Sequence, residues 1–202
     1  MKNMLRDAAI LFAITVIAGA VLGFVYDVTK EPIAQQEARA KQEACQEVFA
    51  DASAFETVAE AGDASYGAIL EAGYDKASIE EVMKAQSSTG DVLGYVMIVT
   101  SHDGYNGDIR FSMGIRMDGT LNGISLLAIS ETPGLGMRAE EVLKPQFAEK
   151  QASVFAYTKT GAASADQIDA ISGATITTNA VVEAVNAGLC YFHNVLEGGV
   201  EQ

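Results

Sequence analysis

Residues 8–26 form a run without a charged residue or a proline, and this run constrains the chain more than any other feature of its sequence. As an α-helix its roughly 19 residues, at about 1.5 Å each, nearly match the roughly 30 Å hydrocarbon core of a bilayer. A helix that is apolar on every side needs lipid or protein around it. The run therefore predicts that residues 1–26 form a cytoplasmic N-terminus and a transmembrane anchor.

The charges that flank the run predict its orientation. Lys2 and Arg6 precede it, with Asp7 in between. By the positive-inside rule the N-terminus stays in the cytoplasm, so we expect a single-pass protein of the cell (inner) membrane whose domain lies on the extracytoplasmic face. The alternative is a signal peptide cleaved at Ala18-Gly19-Ala20. Signal h-regions reach only about 15 residues, which favours a retained anchor.

Residues 27–54 are rich in Glu, Gln, Ala, Lys and Arg and show no clear apolar stripe before Val48 and Phe49. Pro32 suits the first turn of a helix. We interpret this segment as a stalk helix that lifts the following domain off the membrane; the alternative is a first helix of that domain. The formal net charge of −14 excludes nucleic acid as a partner, so membrane lipid is expected to contact the anchor only.

Residues 55–202 are predicted to form one extracytoplasmic domain with an antiparallel sheet. Residues 109–117 alternate apolar and polar or glycine, a period of two that is typical of a strand with one buried face. Asp118-Gly119 predicts a hairpin turn, after which residues 121–130 return as the partner strand. Residues 92–100 are a further strand. Residues 79–85 are either a strand before a turn at 87–90 or a helix that begins with a capping box.

Two helical segments follow the predicted strands. Residues 137–147 predict a short helix interrupted at Pro145, and residues 179–194 carry apolar side chains at helical spacing. We expect the second to be amphipathic and to pack on the sheet. The fold class is therefore α+β, with one N-terminal transmembrane helix and a compact domain whose antiparallel sheet is packed by helices.

The sequence offers no self-contained catalytic machinery. It has no Ser/His/Asp arrangement in a plausible order and no Gly-rich phosphate loop. His102 and His193 have no partners at metal-ligand spacing, and Cys45 and Cys190 are isolated thiols, so we expect no metal site. Chemistry in this domain would have to come from a cofactor.

A segment of small and hydroxyl residues, Asp169-Ala170-Ile171-Ser172-Gly173-Ala174-Thr175, precedes the last predicted helix, and Thr177 and Thr178 follow it. Unpaired N–H groups and the positive end of the helix dipole make such a place suited to a phosphate. The alternative is that Ser172 or Thr178 only caps the helix.

Two glycine-containing loops lie earlier in the chain. In Glu131-Thr132-Pro133-Gly134-Leu135-Gly136 the glycines allow a flat ring to approach the backbone, Leu135 could cover its face, and Glu131 and Thr132 offer polar contacts. The alternative is a simple tight turn. The second loop, His102-Asp103-Gly104-Tyr105-Asn106-Gly107, is rich in turn residues and lies between predicted strands. Its alternative is a long hairpin connection.

The order of these motifs, GYxG, ETPGLG and DxxSGAT, resembles the FMN-binding domain family, and the N-terminal helix and chain length are similar to the G subunit of Rnf electron-transport complexes. The resemblance implies an FMN attached covalently to Thr175 as a phosphoester by a separate flavin transferase. The residues alone do not distinguish Thr175 from Thr177 or Thr178. The expected FMN contacts are Ser172, Gly173, Ala174, Thr178, Glu131, Thr132, Gly134, Leu135, Gly136 and Tyr105.

The resemblance also implies a role as an electron relay that is not a complete enzyme alone. Its partners would be the other membrane and peripheral subunits of the complex, on a route between ferredoxin and NAD coupled to Na⁺ or H⁺ movement. One alternative is the C subunit of the Na⁺-pumping NADH:quinone oxidoreductase, for which this chain looks short. Another is a non-redox exported module that binds a small ligand.

Overall fold

The protein is described here by a computed structural model that covers residues 2–60 and 67–197. The chain divides into two units, Met1–Ala40 and Lys41–Gln202. Residues 61–66 and 198–202, which the predicted domain includes, lie outside the described residues. Helix α1 spans Lys2–Val48, and its first part makes up the first unit.

The first unit is helical, as the apolar run predicts. Large apolar side chains along it are exposed, among them Phe12, Leu22 and Phe24. The helix is long and apolar enough to cross a membrane. Pro32 lies within it, so the helix begins well before the proline that we read as its first turn.

The second unit begins inside α1, at Lys41, whereas the sequence placed the start of the domain at residue 55. Ala44, Cys45, Val48 and Phe49 are buried in its core. The apolar residues that look like the sparse end of a stalk are therefore core residues. Over residues 41–48 the alternative interpretation, a first helix of the domain, describes the structure.

Five strands form an antiparallel sheet in chain order. They are β1 Ala54–Glu60, β2 Ala77–Gln86, β3 Val92–Ser101, β4 Ile109–Arg116 and β5 Leu121–Ile129. The strand alternative for residues 79–85 is thus confirmed and the capping box is wrong. The predicted strands at 92–100, 109–117 and 121–130 are confirmed, and Gly119 at the β4–β5 turn has a φ of +81°.

Strands β3 and β4, in the middle of the sheet, are buried on both faces, so the prediction of one buried face for β4 is wrong. On one face Phe111, Met113 and Ile115 belong to the larger core cluster. On the other face Ser112 is fully buried and its hydroxyl donates to the carbonyl of Ala44, 3.0 Å away. Ser112 and Gly114, at even positions of β4, are covered by the end of α1 and by Phe49, which a period of two does not reveal.

Phe49 packs where two strands lack side chains. A Cβ on Gly94 would lie 2.7 Å from the Phe49 ring, and a Cβ on Gly114 would lie 2.9 Å from it. The guanidinium of Arg116 lies 5.7 Å from the ring centroid. The two glycines therefore form a recess in the sheet that Phe49 fills.

Helix α4, Thr175–Tyr191, packs on the other face of the sheet and continues as a π-helical turn over Phe192–Glu197. It is buried around most of its circumference, including Asn186 and Gly188, and is not the amphipathic helix that we expected. Gly188 leaves room for the Met113 side chain, since a Cβ there would lie 2.2 Å from its Sδ.

The remaining elements are short. Helix α2 covers Gly67–Glu71, and strands β6 Ala156–Thr158 and β7 Gln167–Asp169 pair in parallel. The predicted broken helix at 137–147 is a 3₁₀ turn at Gly136–Arg138, helix α3 at Ala139–Val142, and a second 3₁₀ turn at Lys144–Phe147 that contains Pro145.

Candidate functional site

A cleft of about 480 Å³ lies where the loop after β5 meets the start of α4. This volume falls within the roughly 300–1,000 Å³ usual for small-molecule sites. The cleft is lined by Tyr105, Glu131, Thr132, Leu135, Gly136, Gly173, Ala174, Thr175, Ile176 and Thr177. All three loops that the sequence singled out thus meet at one place.

The start of α4 leaves its first N–H groups available. Ala174 is the N-cap residue and no side chain caps the helix. The first intrahelical bond runs from the N–H of Thr178 to the carbonyl of Ala174, at 3.0 Å. The N–H groups of the first turn precede this bond and have no partner within the helix. The alternative in which Ser172 or Thr178 caps the helix is therefore wrong.

The three threonines of this turn lie in different environments. Thr178 is fully buried; its hydroxyl donates to the carbonyl of Ala174 at 2.9 Å and accepts from the N–H of Ile171 at 3.1 Å. Thr177 is 1% exposed, and its hydroxyl donates to Oε2 of Glu131 at 2.9 Å. Thr175 is half-buried and lines the cleft.

Glu131 is a buried acid at the floor of the cleft. Its side chain is 5% exposed, and its Oε1 accepts a hydrogen bond from the N–H of Asn106 at 3.2 Å. The side-chain amide of Asn106 also donates to the carbonyl of Ser130 at 2.8 Å. These contacts fix the loop of residues 102–107 against the loop that begins at Glu131.

Apolar groups form the upper walls of the cleft. Leu135, Ile176 and Tyr105 are 41%, 52% and 68% exposed. A Cβ on Gly173 would lie 3.1 Å from the Leu135 side chain, so the Leu135 loop and the 172–175 loop are in close contact. These exposed apolar side chains beside a polar floor suit a ligand with a flat apolar part.

The two loop glycines, which we expect to allow a ring close to the backbone, have different surroundings. A Cβ on Gly136 would lie 2.6 Å from Oγ1 of Thr177 and 2.7 Å from Oε2 of Glu131, so this position is already filled by protein. Gly134 has a φ of +77° with open space around its Cβ direction, and it serves the turn.

The cleft brings together eight of the predicted contact residues and leaves out three. Tyr105, Glu131, Thr132, Leu135, Gly136, Gly173, Ala174 and Thr175 line it, whereas Ser172, Gly134 and Thr178 do not. Ile176 and Thr177 line it and were not in the predicted set. Both lie between the predicted residues Thr175 and Thr178, but which way each side chain points depends on where the helix begins.

One polar cluster outside the cleft was not foreseen. Nε2 of His102 lies 3.0 Å from the Ser78 hydroxyl, and Nδ1 lies 3.1 Å from Oδ1 of Asp108. His102 and Asp108 are 47% and 62% exposed, as expected for a surface histidine. Cys45 and Cys190 are free thiols. Within residues 2–60 and 67–197, no three His, Cys, Asp or Glu residues are grouped to hold a metal ion.

Comparisons with known proteins agree with this arrangement. Residues 104–189 match the family model of the FMN-binding domain, and residues 1–48 match that of the RnfG N-terminal region. The G subunit of the Na⁺-translocating ferredoxin:NAD⁺ oxidoreductase complex of Acetobacterium woodii is 35% identical over 96% of this chain and 94% of its own length. The chain belongs to the G-subunit family of ion-translocating oxidoreductase complexes.

A second member of this G-subunit family, from Methanosarcina acetivorans, is 30% identical over 94% of this chain and 95% of its own length. The family predicted from the motifs is thus confirmed. The FMN-binding match begins at Gly104 and ends at Leu189, so it includes every residue that lines the cleft.

The fold is shared more widely than the family. The crystal structure of the C subunit of the Na⁺-translocating NADH-quinone reductase from Parabacteroides distasonis superposes with a TM-score of 0.51 over 75% of this chain and 79% of that chain, at 23% identity. This similarity confirms the predicted α+β fold. It says nothing further about the function of this chain.

Proposed function

We propose that the protein is a membrane-anchored electron-transfer flavoprotein that carries FMN as a phosphoester on Thr175. It works as one subunit of an Rnf-type ferredoxin:NAD oxidoreductase complex that couples electron flow to Na⁺ or H⁺ translocation. The family membership supports an FMN-dependent electron-transfer subunit of an ion-translocating oxidoreductase. The attachment residue is argued from the geometry of the helix start.

The observation that carries the attachment is the difference among the three threonines. The hydroxyls of Thr177 and Thr178 are buried and hydrogen-bonded to protein atoms. Thr175 lines the cleft and is partly exposed. A flavin transferase can reach only a hydroxyl that is open to solvent, which favours Thr175 over its two neighbours.

The residues of the cleft fit a phosphate diester followed by a flat ring. The free N–H groups of the first turn of α4 would hold the phosphate oxygens, and the helix dipole favours negative charge there. Leu135, Ile176 and Tyr105 would contact the ring, with Thr132 at its edge. FMN supplies the reversible uptake of electrons, whereas these residues bind it, orient it and limit the access of water.

No cationic side chain balances the phosphate. Among the residues that line the cleft none is Lys, Arg or His, and Glu131 adds a carboxyl group. A non-covalent site for free FMN usually relies on charge-assisted hydrogen bonds. A covalent bond to Thr175 retains the cofactor without them, as suits a domain from which a lost cofactor could not be recovered.

The placement of the domain follows from the anchor. Lys2 and Arg6 precede the apolar run, so the N-terminus lies in the cytoplasm and the flavin domain on the extracytoplasmic face, held by a single membrane span. The other subunits of the complex supply and accept its electrons. The membrane lipid contacts the anchor, and the flavin transferase acts on the exported domain.

Thr175→Ala is the decisive variant. In full-length protein coexpressed with a flavin transferase, it should abolish the flavin fluorescence of the denatured band on a gel. Thr177→Ala and Thr178→Ala should retain it, and Thr175→Ser should retain part of it. Peptide mass mapping locates the adduct. An FMN-sized adduct on any other residue refutes the assignment to Thr175, and no adduct on the wild-type chain refutes the covalent flavin.

Further measurements test the membrane topology, the N-terminus, the presence of a flavin and the identity of the complex. Protease added to intact right-side-out protoplasts should digest the domain; digestion only after cytoplasmic access would reverse the topology. N-terminal sequencing should find the start of the chain intact, whereas a start near Val21 would favour a signal peptide. A purified protein without visible absorbance after coexpression would favour the non-redox binding module. Copurification with the other components of a NADH:quinone oxidoreductase would favour membership of that complex instead.

A further inference from the structure

The three loops of the cleft share one contact, the carboxyl group of Glu131. Oε1 accepts from the N–H of Asn106 in the loop of residues 102–107, at 3.2 Å. Oε2 accepts from the hydroxyl of Thr177 in the first turn of α4, at 2.9 Å. Glu131 itself begins the loop that leads to Gly136. The buried side chain of Glu131 thus hydrogen-bonds to two of the three loops, and Glu131 itself belongs to the third.

Glycines make room for this carboxyl group on two sides. A Cβ on Gly104 would lie 2.8 Å from Oε1, and a Cβ on Gly136 would lie 2.7 Å from Oε2. Both distances are too short for any side chain to be tolerated without movement of Glu131. Gly104 and Gly136 therefore both leave room for Glu131 between the loops, and Gly104 also avoids the carbonyl oxygen of Gly107, which would lie 2.1 Å from its Cβ.

The hydrogen bond from Thr177 to Glu131 also affects which threonine hydroxyl is available for attachment of FMN. Thr177 is two residues from Thr175, and its hydroxyl is turned inward toward Oε2 with 1% of the residue exposed. A buried carboxylate that loses a hydrogen-bond donor is destabilised, so the Thr177 hydroxyl is held in this orientation. The hydrogen bonds of Glu131 go to Asn106 and Thr177 and not to Thr175, which stays at the surface of the cleft.

We propose that Glu131 is the positioning residue of the flavin cleft, and this inference rests on the proposed FMN at Thr175. By holding Asn106 and Thr177 it sets the distance between the loop that carries Tyr105, the loop that carries Leu135 and the helix start that carries the cofactor. It also keeps the Thr177 hydroxyl out of the transfer reaction. In that reaction a threonine oxygen bonds to the phosphorus of a flavin dinucleotide, the bond to the nucleotide leaving group breaks, and the hydroxyl proton is released.

The test uses full-length protein coexpressed with a flavin transferase and purified in detergent. The variants are Glu131→Ala, Glu131→Gln and Thr177→Val, with Glu141→Gln as the matched control because Glu141 is an exposed acid of the same segment. Four quantities are measured: the adduct position by peptide mass mapping, the visible spectrum, the acrylamide quenching of flavin fluorescence, and the thermal midpoint.

In Glu131→Ala most of the adduct should stay on Thr175 and a minor part should appear on Thr177, whose hydroxyl is no longer held, while the quenching constant rises about threefold or more and the flavin bands shift toward those of free FMN. Glu131→Gln keeps the size of the side chain and one acceptor oxygen for Asn106, and it should restore most of the wild-type quenching. Thr177→Val should give an intermediate value. Glu141→Gln should match the wild type in all four measurements.

Wild-type quenching and spectrum in Glu131→Ala would overturn the proposal, as would a Glu131→Gln protein indistinguishable from Glu131→Ala. If Glu131→Ala fails to fold, Thr177→Val decides, since wild-type quenching in that variant means that the Glu131–Thr177 bond does not position the cleft. The absence of any adduct on the wild-type chain is a different result, because it refutes the proposed function itself.

Discussion

Replacing Phe49 by alanine should destabilise the second unit strongly and leave the anchor unaffected. The Phe49 side chain is fully buried between the end of α1 and the sheet. It lies over Gly94 and Gly114, and its ring is close to Arg116. This contact joins the residues that lead out of the anchor to strands β3 and β4.

The size of the loss follows from what could fill the space. Phe→Ala in a core costs about 3–5 kcal/mol, depending on how far the site collapses. Here the facing positions are Gly94 and Gly114, which have no side chains to move inward, so we expect the upper part of that range, about 4–5 kcal/mol. For a domain of this size each kcal/mol lowers the thermal midpoint by about 2–4 °C, which gives a decrease of about 8–20 °C.

The assay is thermal unfolding of full-length protein in a mild detergent, followed by near-UV circular dichroism of its tyrosines. The chain has 7 tyrosines and no tryptophan, and α1 contributes little to this signal because Tyr26 is its only tyrosine. Phe49→Leu retains much of the volume and should lose less than about 2 kcal/mol. Val154→Ala, at a position that is 55% exposed, is the control and should change the midpoint by about 2 °C or less.

A Phe49→Ala midpoint within about 3 °C of the wild type would refute the reasoning. It would mean that the recess over the two glycines contributes little to the unit. A large loss in both Phe49→Ala and Val154→Ala would instead show that the assay responds to any truncation.

Three further predictions use other contacts. Asn186 accepts from the N–H of Phe155 at 2.7 Å and donates to its carbonyl at 2.9 Å, so Asn186→Leu leaves two buried backbone groups unpaired and should cost roughly 2–4 kcal/mol in the same unfolding assay. Burial raises the pKa of the Cys45 thiol to about 11, against the lowering effect of the positive charge of Lys41. The stability that this raised pKa gives the folded unit is complete below pH 9 and is lost as the pH rises from 9 through 11. Cys45→Ala should remove this part of the pH dependence of the unfolding midpoint. Because no cation lines the cleft, the phosphate of FMN would be held by the first N–H groups of α4 and by the helix dipole, worth about 0.3–2 kcal/mol; Thr175→Ala protein should therefore bind FMN about 2- to 30-fold more tightly than riboflavin in a fluorescence titration, and equal affinities would contradict this.

The local elements of the fold could be predicted from the sequence because their signals are local. The uncharged run marks the anchor, and Asp118-Gly119 marks the hairpin. The burial of both faces of β4 could not be predicted, since it depends on Ser112 and Gly114 meeting a helix end far away in the chain. The same contact moves the start of the compact unit to Lys41.

The motifs locate the site in the sequence, but they do not distinguish the threonines within it. The sequence places Thr175, Thr177 and Thr178 together and leaves the choice open. The structure separates them because the helix begins at Thr175, which turns Thr177 toward Glu131 and buries Thr178. The sequence predicts Gly136 as a ligand contact; in the structure it lines the cleft, and its tight packing against Glu131 and Thr177 could not be predicted.

Helix α4 is buried along nearly all of its length, and segments of that kind are the last to open in a folded domain. A cofactor on its first residue would be attached to a well-packed element, so we expect little rearrangement of that element between the oxidised and reduced states. The domain would then hold its cofactor in one fixed position during electron transfer, and its cleft would not need to open and close. Any gating of electron flow through it would have to come from motions of its neighbours in the membrane complex.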